Sequence, residues 1–227
     1  MTNRQRGFSL AEVLTVTVIL GILMTALVMV APAMLHAPAQ MQSQVDQVNT
    51  AAIALYKIRR DFSEGDTSGV MGCQTAPIVT CSAVSPGLTK VQAMAVVTAE
   101  NPPGTFNVDP NTGYPKWQGF YVYWLAPDAT GQSFNLMRQF EPVTPMQINQ
   151  INGPNGVPIN VTSALVGPLI TAAMALSPAP VLTNYIDSMS LGDVPGTSTV
   201  NFELIAGSFN GANISQTDFQ ANTYARN

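Results

Sequence analysis

The sequence predicts an α+β chain in which a long N-terminal helical segment is followed by a body of antiparallel strands. Three observations carry this. Residues 13–35 hold no charge, residues 39–64 repeat apolar side chains at steps of three and four, and residues beyond 65 change to short β-branched and aromatic runs separated by turns.

Composition limits the functional classes. The 227 residues are 46% hydrophobic and only 10% charged, with a net charge of −4. This length suits one domain plus an anchor. Polar stretches must therefore be built from Ser, Thr, Asn, Gln and Gly, as in exported or assembled material. Beyond His36 acids outnumber bases, and Lys57, Arg59 and Arg60 form the one basic group, so no nucleic-acid partner is predicted. The two cysteines, Cys73 and Cys81, have no nearby histidine to complete a metal site, and no metal is predicted. In an exported body a disulfide closing this short loop is the favoured pairing; two buried thiols are the alternative.

The first element is the apolar run. Met1 to Gly7 is polar and carries Arg4 and Arg6, which hold that end in the cytoplasm and send the rest outward. The uncharged run after it, about 23 residues or roughly 35 Å as helix, can cross a hydrocarbon core of about 30 Å. It is too long for the apolar region of a secretory signal peptide, although Ala31-Pro32-Ala33 and Ala37-Pro38-Ala39 imitate a small-x-small site. A plain signal anchor leaves Glu12 unexplained, a carboxylate whose burial in lipid costs about 2.5–3.5 kcal/mol.

The run Arg6-Gly7-Phe8-Ser9-Leu10-Ala11-Glu12-Val13-Leu14 resembles the leader junction of type IV prepilins and pseudopilins. These share a short basic leader, Gly, Phe, and Glu at the fifth position of the mature chain. The resemblance implies cleavage after Gly7 by prepilin peptidase, N-methylation of Phe8, and Glu12 as the assembly carboxylate. Physically, a buried carboxylate and a buried ammonium are each costly and relieve one another when paired. Small residues Ala11, Gly21 and Ala26 permit close helix approach, while Gly21 and Pro32 weaken the helix.

The chain then divides as leader 1–7, transmembrane and assembly helix 8–36, amphipathic helix 37–64 and exported β-rich body 65–227. In the second helix Met41, Val45, Val48, Ala52, Leu55, Ile58 and Phe62 form the stripe expected to lie on a sheet. Asp61, Glu64 and Asp66 read as a solvated helix end, with a cation site the lesser alternative. Residues 88–98 read as a strand, 119–126 and 133–140 as a hairpin, 149–156 as loop, and 163–175 as helix or buried segment. Residues 181–191 read as ordered, 199–208 as a strand, and the polar C-terminus as an edge strand ending near Arg226 and Asn227. The hairpin, the run 181–186, the strand 199–206 and the terminal Arg226-Asn227 are similar to the larger minor subunits of the superfamily, J-type pseudopilins of type II secretion and W-type minor pilins. That likeness implies a pilin-like fold, a long helix packed on an antiparallel sheet; the apolar, Pro-rich segment 157–180 departs from it.

No catalytic site is expected. His36 is the single histidine and reads as interfacial, so the body lacks a base for a Ser-His or Cys-His arrangement. Residues 109–113 resemble the start of a calcium loop, but Asp, Pro, Asn and Gly build turns anyway. Asp187 and Asp193 could pair, and Tyr121, Tyr123 and Trp124 read as sheet core before they read as a binding platform. The expected role is structural: a minor pilin or pseudopilin, without enzyme activity or cofactor, in a type IV pilus-like or type II secretion filament. A pilin-anchored adhesin or DNA-uptake binding subunit is the alternative, and a tethered enzyme the third. Implied partners are other pilin or pseudopilin subunits, prepilin peptidase, the inner-membrane platform with its motor, and membrane lipid. The expected location is the bacterial inner membrane, single-pass with a cytoplasmic N-terminus and exported body, then a periplasmic or cell-surface filament.

Overall fold

A computed structural model describes residues 10–101, 104–129, 131, 133–176, 180–193, 199–210 and 213–224, with side chains beyond 206 and those of 31–44 and 47 set aside. Gly7, Phe8, Arg226 and Asn227 lie outside the described residues, as do the side chains of His36 and Met41. The chain divides into two units, one up to Val45 and one from Asp46.

Helix α1 spans Leu10–Glu64 and enters the second unit. It is assigned as helix through Pro32 and Pro38. In the first unit every described side chain from Leu10 to Val30 is exposed. In the second, Ala51, Ala54, Ile58, Asp61 and Phe62 are buried, with Leu55 packed beside them. The expected stripe is therefore corrected. Val45 and Val48 are exposed, and the buried line, stepping by three and four, is completed by an acid, Asp61.

A one-turn 3-10 helix, Thr67–Gly69, follows, capped by the Asp66 side chain, which accepts from the Ser68 N–H. The strands are β1 (Val70–Gln74), β2 (Thr80–Ala83), β3 (Thr89–Val91), β4 (Ala93–Thr98), β5 (Glu100–Asn101) and β6 (Thr105–Phe106). After these come β7 (Gly119–Pro127) and β8 (Phe134–Pro142), helices α2 (Pro145–Ile151) and α3 (Ser163–Ala175), then β9 (Val181–Asp193), β10 (Thr199–Asn210) and β11 (Asn213–Tyr224). Among the described residues nine strands make one antiparallel sheet in the order β11-β10-β9-β8-β7-β4-β1-β2, with β3 also on β9; β5 and β6 pair separately. The chain is α+β, an N-terminal apolar helix followed by a large antiparallel sheet.

Three sequence readings change. The single strand expected over 88–98 breaks at Gln92, because β3 pairs with β9 while β4 pairs with β7. The loop expected over 149–156 begins inside α2. Thr144 caps that helix in a reciprocal box with Gln147, and Pro145 sits in its first turn, where its missing N–H costs nothing. Strands β1 and β2 hold the two cysteines, in a stretch that the sequence offered only as a short loop.

Alternation along β4 and β7 puts side chains into two cores. Met94, Val96, Tyr121 and Tyr123 join Ile58 and Phe62 of α1, with Phe202 and Leu204 of β10. Ala93, Ala95, Val97, Phe120, Val122 and Trp124 face the other way and meet Ile151 of α2 and Val166, Ile170 and Ala173 of α3. Segment 163–175 thus resolves as a helix that seals the second face of the sheet.

Cys73 and Cys81 stand opposite one another in the β1–β2 register and are disulfide-bonded. Closing a loop this short removes roughly 2.5 kcal/mol of chain entropy from the unfolded state. Replacing both cysteines with serine is expected to lower stability by about that amount. Urea unfolding of the two proteins under non-reducing conditions measures the difference.

Candidate functional site

Two regions concentrate chemistry: the apolar segment of α1 and a buried charge network under its last turns. In the first, Leu10–Val30 has a mean hydropathy of 2.7 and none of its hydrophobic window is buried. Its polar side chains are turned back on the helix. Thr15 donates to the carbonyls of Ala11 and Glu12 at 3.1 and 2.9 Å. Thr17 donates to those of Val13 and Leu14 at 3.0 and 2.9 Å, and Thr25 to that of Gly21 at 2.8 Å. Hydroxyls satisfied this way can enter lipid without a partner from outside. Gly21 has open space where a side chain would stand, leaving a notch for a neighbouring helix. Glu12 lies in the first turn, where a carboxylate also complements the helix dipole.

The second region was not foreseen. Asp61, expected in solvent, is 2% exposed. Its Oδ2 accepts hydrogen bonds from the Tyr123 hydroxyl and from Arg138 Nε at 2.8 Å, and Arg138 Nη2 stands 2.7 Å from the same oxygen in an ion pair. Strands β7 and β8 supply these donors because Tyr123 and Arg138 are register partners. The guanidinium also lies 3.8 Å over the Tyr121 ring, a cation–π contact in a desolvated setting. Tyr121 donates to Glu100 Oε2 at 3.0 Å. Arg60 donates to both Glu100 oxygens at 2.9 and 3.1 Å and to Glu64 at 3.1 Å. A cleft of about 370 Å³ opens over the group, with Lys57 on its rim.

The titration of these groups follows from burial. Burial pushes the Asp61 carboxyl up, while Arg138 and the Tyr123 hydroxyl draw it back. Burial works against the Arg138 charge, yet Tyr123 and Asp61 outweigh it and hold the guanidinium above its ordinary range. We take the pair as ionised, since both partners gain directed hydrogen bonds in that form. Burial, reinforced by the hydrogen bond to Glu100, pushes Tyr121 up to about 12. The carboxylates of Asp61, Glu64 and Glu100 come within 4.8 Å of one another, close enough to share a cation. Each of the three carboxylates is paired with Arg60 or Arg138, so the arrangement is an ion-pair network holding helix to sheet.

The other sequence candidates separate. Asp66 caps the 3-10 turn instead of joining Asp61 and Glu64. Residues 109–113 form a turn closed by the Gly113 N–H on the Asp109 carbonyl at 2.8 Å, with Gly113 at φ 72°. Asp187 and Asp193 lie six residues apart on one strand, roughly 20 Å along it, so they do not make a carboxylate pair. Tyr121, Tyr123 and Trp124 are buried on the two faces of β7 and serve the core.

Asp61→Asn keeps the shape and removes the charge that Arg138 faces. The expected loss is roughly 2–4 kcal/mol, below the full cost of breaking a buried pair, because the Arg138 side chain keeps 26% exposure. Glu64→Ala, which removes only the helix-surface pair with Arg60, should cost about 0.5 kcal/mol. Denaturant titrations of the two variants test this ordering.

A second expectation concerns alkaline pH. Unfolded tyrosine ionises near 10.0, but folded Tyr121 holds its proton to about 12. The folded state therefore binds more protons between these values, and stability falls as pH rises across that window. Tyr121→Phe should lose less stability than the parent between pH 10 and 12, read from chemical denaturation at both ends.

Residues 2–28 match the family described as the prokaryotic N-terminal methylation motif. No curated protein matches the chain, and no solved structure matches it. The motif and the exposed apolar helix it overlaps support a type IV pilin-like N-terminus and single-pass membrane anchoring.

Proposed function

We propose that the chain is a structural and assembly subunit, a minor pilin or pseudopilin of a type IV pilus-like or type II secretion filament. One observation carries the reading. The methylation motif at residues 2–28 overlaps Leu10–Val30, an apolar helix whose described side chains are exposed. A surface of that kind needs lipid first and neighbouring helices later, which is the life of a filament subunit.

The chemistry then proceeds from the precursor. Prepilin peptidase cuts after Gly7 and leaves a cationic amine on Phe8, which is methylated. In the membrane the amine of one subunit faces Glu12 of its neighbour, and each charge relieves the desolvation of the other. Docking is favoured in the one register that pairs them, and the Gly21 notch lets the helices close. The body, joined through α1, is carried outward as the helices assemble. Work from ATP is done by the motor, outside this chain.

Gly7→Glu should leave the uncut precursor, visible as a slower band on immunoblots; normal maturation of this variant would exclude the processing route. Mass spectrometry of the parent should find a methylated N-terminus at Phe8. Glu12→Ala should be cut and inserted normally, yet appear in sheared filaments at roughly a tenth of the parent amount or less, the effect of losing about 1.4 kcal/mol of docking free energy. Parent-level recovery would rule out amine pairing.

A further inference from the structure

Strand β9 changes neighbours partway along one edge. Its last pair with β8 is Ile186 opposite Phe134, and its first with β3 is Met189 opposite Val91. Between them Asp187 and Ser188 have no ladder partner on that side. On the other side the β10 register slips between Ile205 and Ala206, so Asp187 is bulged out of that ladder as well. Two residues earlier Tyr185 holds a φ of 62°, a left-handed conformation uncommon for an aromatic residue. Bulges and strained residues are over-represented at binding and active sites. Here a cavity of about 480 Å³ opens at the seam, within the range that holds small ligands.

The cavity has an apolar side, formed by Leu125, Phe134 and Met174, and a polar side. Part of the polar side is committed to the wall. Gln74 Nε2 donates to the Lys90 carbonyl at 2.7 Å, and Gln92 Oε1 accepts from the Thr75 N–H and hydroxyl at 2.7 and 2.8 Å. The rest is left over. Among the described residues no partner meets the Lys90 ammonium or the Asp187 carboxylate, both of which line the cavity. The Ser188 hydroxyl, also in the lining, has a buried oxygen without a hydrogen-bond partner, so its desolvation goes uncompensated in the free protein.

We infer that this seam binds a short peptide with free termini and apolar side chains, held at both ends. The charges select the class. Lys90 lies opposite Ser190, three positions along β9 from Asp187, so roughly 10 Å separates the two along the strand. An extended peptide of two or three residues spans about 7–11 Å, which sets its carboxylate at Lys90 and its ammonium at Asp187 in charge-assisted contacts. A simple apolar acid would cover Asp187 without giving it a donor, and an apolar amine would do the same to Lys90 without an acceptor. Between the ends, the main chain at Asp187 and Ser188 has no strand beside it on that edge and can pair with the peptide backbone. The Ser188 hydroxyl gains the partner it lacks, and the peptide's side chains cover Leu125, Phe134 and Met174.

Calorimetry on the full chain in detergent micelles, with trileucine as the probe and empty micelles as the baseline, tests this. Binding with a Kd below about 1 mM is expected. Trileucine amidated at its C-terminus should bind at least tenfold more weakly, a loss that vanishes in Lys90→Met. Acetylating its N-terminus should cost at least tenfold as well, a loss that vanishes in Asp187→Asn. Ser188→Ala separates a ligand contact from a structural one. It should weaken trileucine at least threefold while the thermal midpoint without peptide holds or rises, since an unmet buried hydroxyl has gone. No binding of trileucine, or equal binding of its capped forms by the parent, would overturn the inference. So would a Ser188→Ala protein that melts earlier and keeps full affinity.

Discussion

The seating of α1 on the sheet depends on one buried carboxylate. Asp61 lies on the apolar line of the helix between Ile58 and Phe62, and its Oδ2 is met by Tyr123 and Arg138. Apolar packing alone tolerates sliding. A shift of one helical turn, about 5.4 Å, would strand the carboxylate in the core without its donors, at the cost of an uncompensated buried charge. The ion pair therefore sets register more than it adds net stability. Arg60, one residue earlier, reaches Glu100, so two contacts on adjacent residues fix rotation as well as translation.

The sheet can accept that helix because its central strands are covered on both sides. Tyr121 and Tyr123 turn their hydroxyls toward the charged network, while Phe120, Val122 and Trp124, alternating with them, have no polar group to satisfy except the indole and face α2 and α3. The same alternation lets β4 be buried at every position. Only 10% of the residues are charged, and the body still takes two carboxylates, Asp61 and Glu100, into its interior against arginines.

Much of this was legible locally. The uncharged run, the β7–β8 hairpin and the strand at β10 follow from periodicity within one segment. The methylation motif is also local, a match over residues 2–28 that needs no help from the fold. What escaped was long-range. Asp61 looked like a helix-end acid because Arg138 is 77 positions away, although its place three residues after Ile58 put it on the buried stripe. Val45 and Val48 kept the right spacing and still stayed exposed, since periodicity finds a face without saying where its cover ends. The break at Gln92 carries no turn residue to announce it, because it reflects which strand each half pairs with. Helix α2 did carry a signal, Thr144-Pro145-Met146-Gln147, a capping box with proline in the first turn, hidden by the Asn and Gly residues that follow.

Polar chemistry inside the body is spent on holding it together: the clustered acids meet arginines, the buried tyrosine hydroxyls meet acids, and the thiols meet each other. The apolar segment of α1 from Leu10 to Val30 is different: its described side chains are exposed, a surface that lipid or another apolar helix can cover.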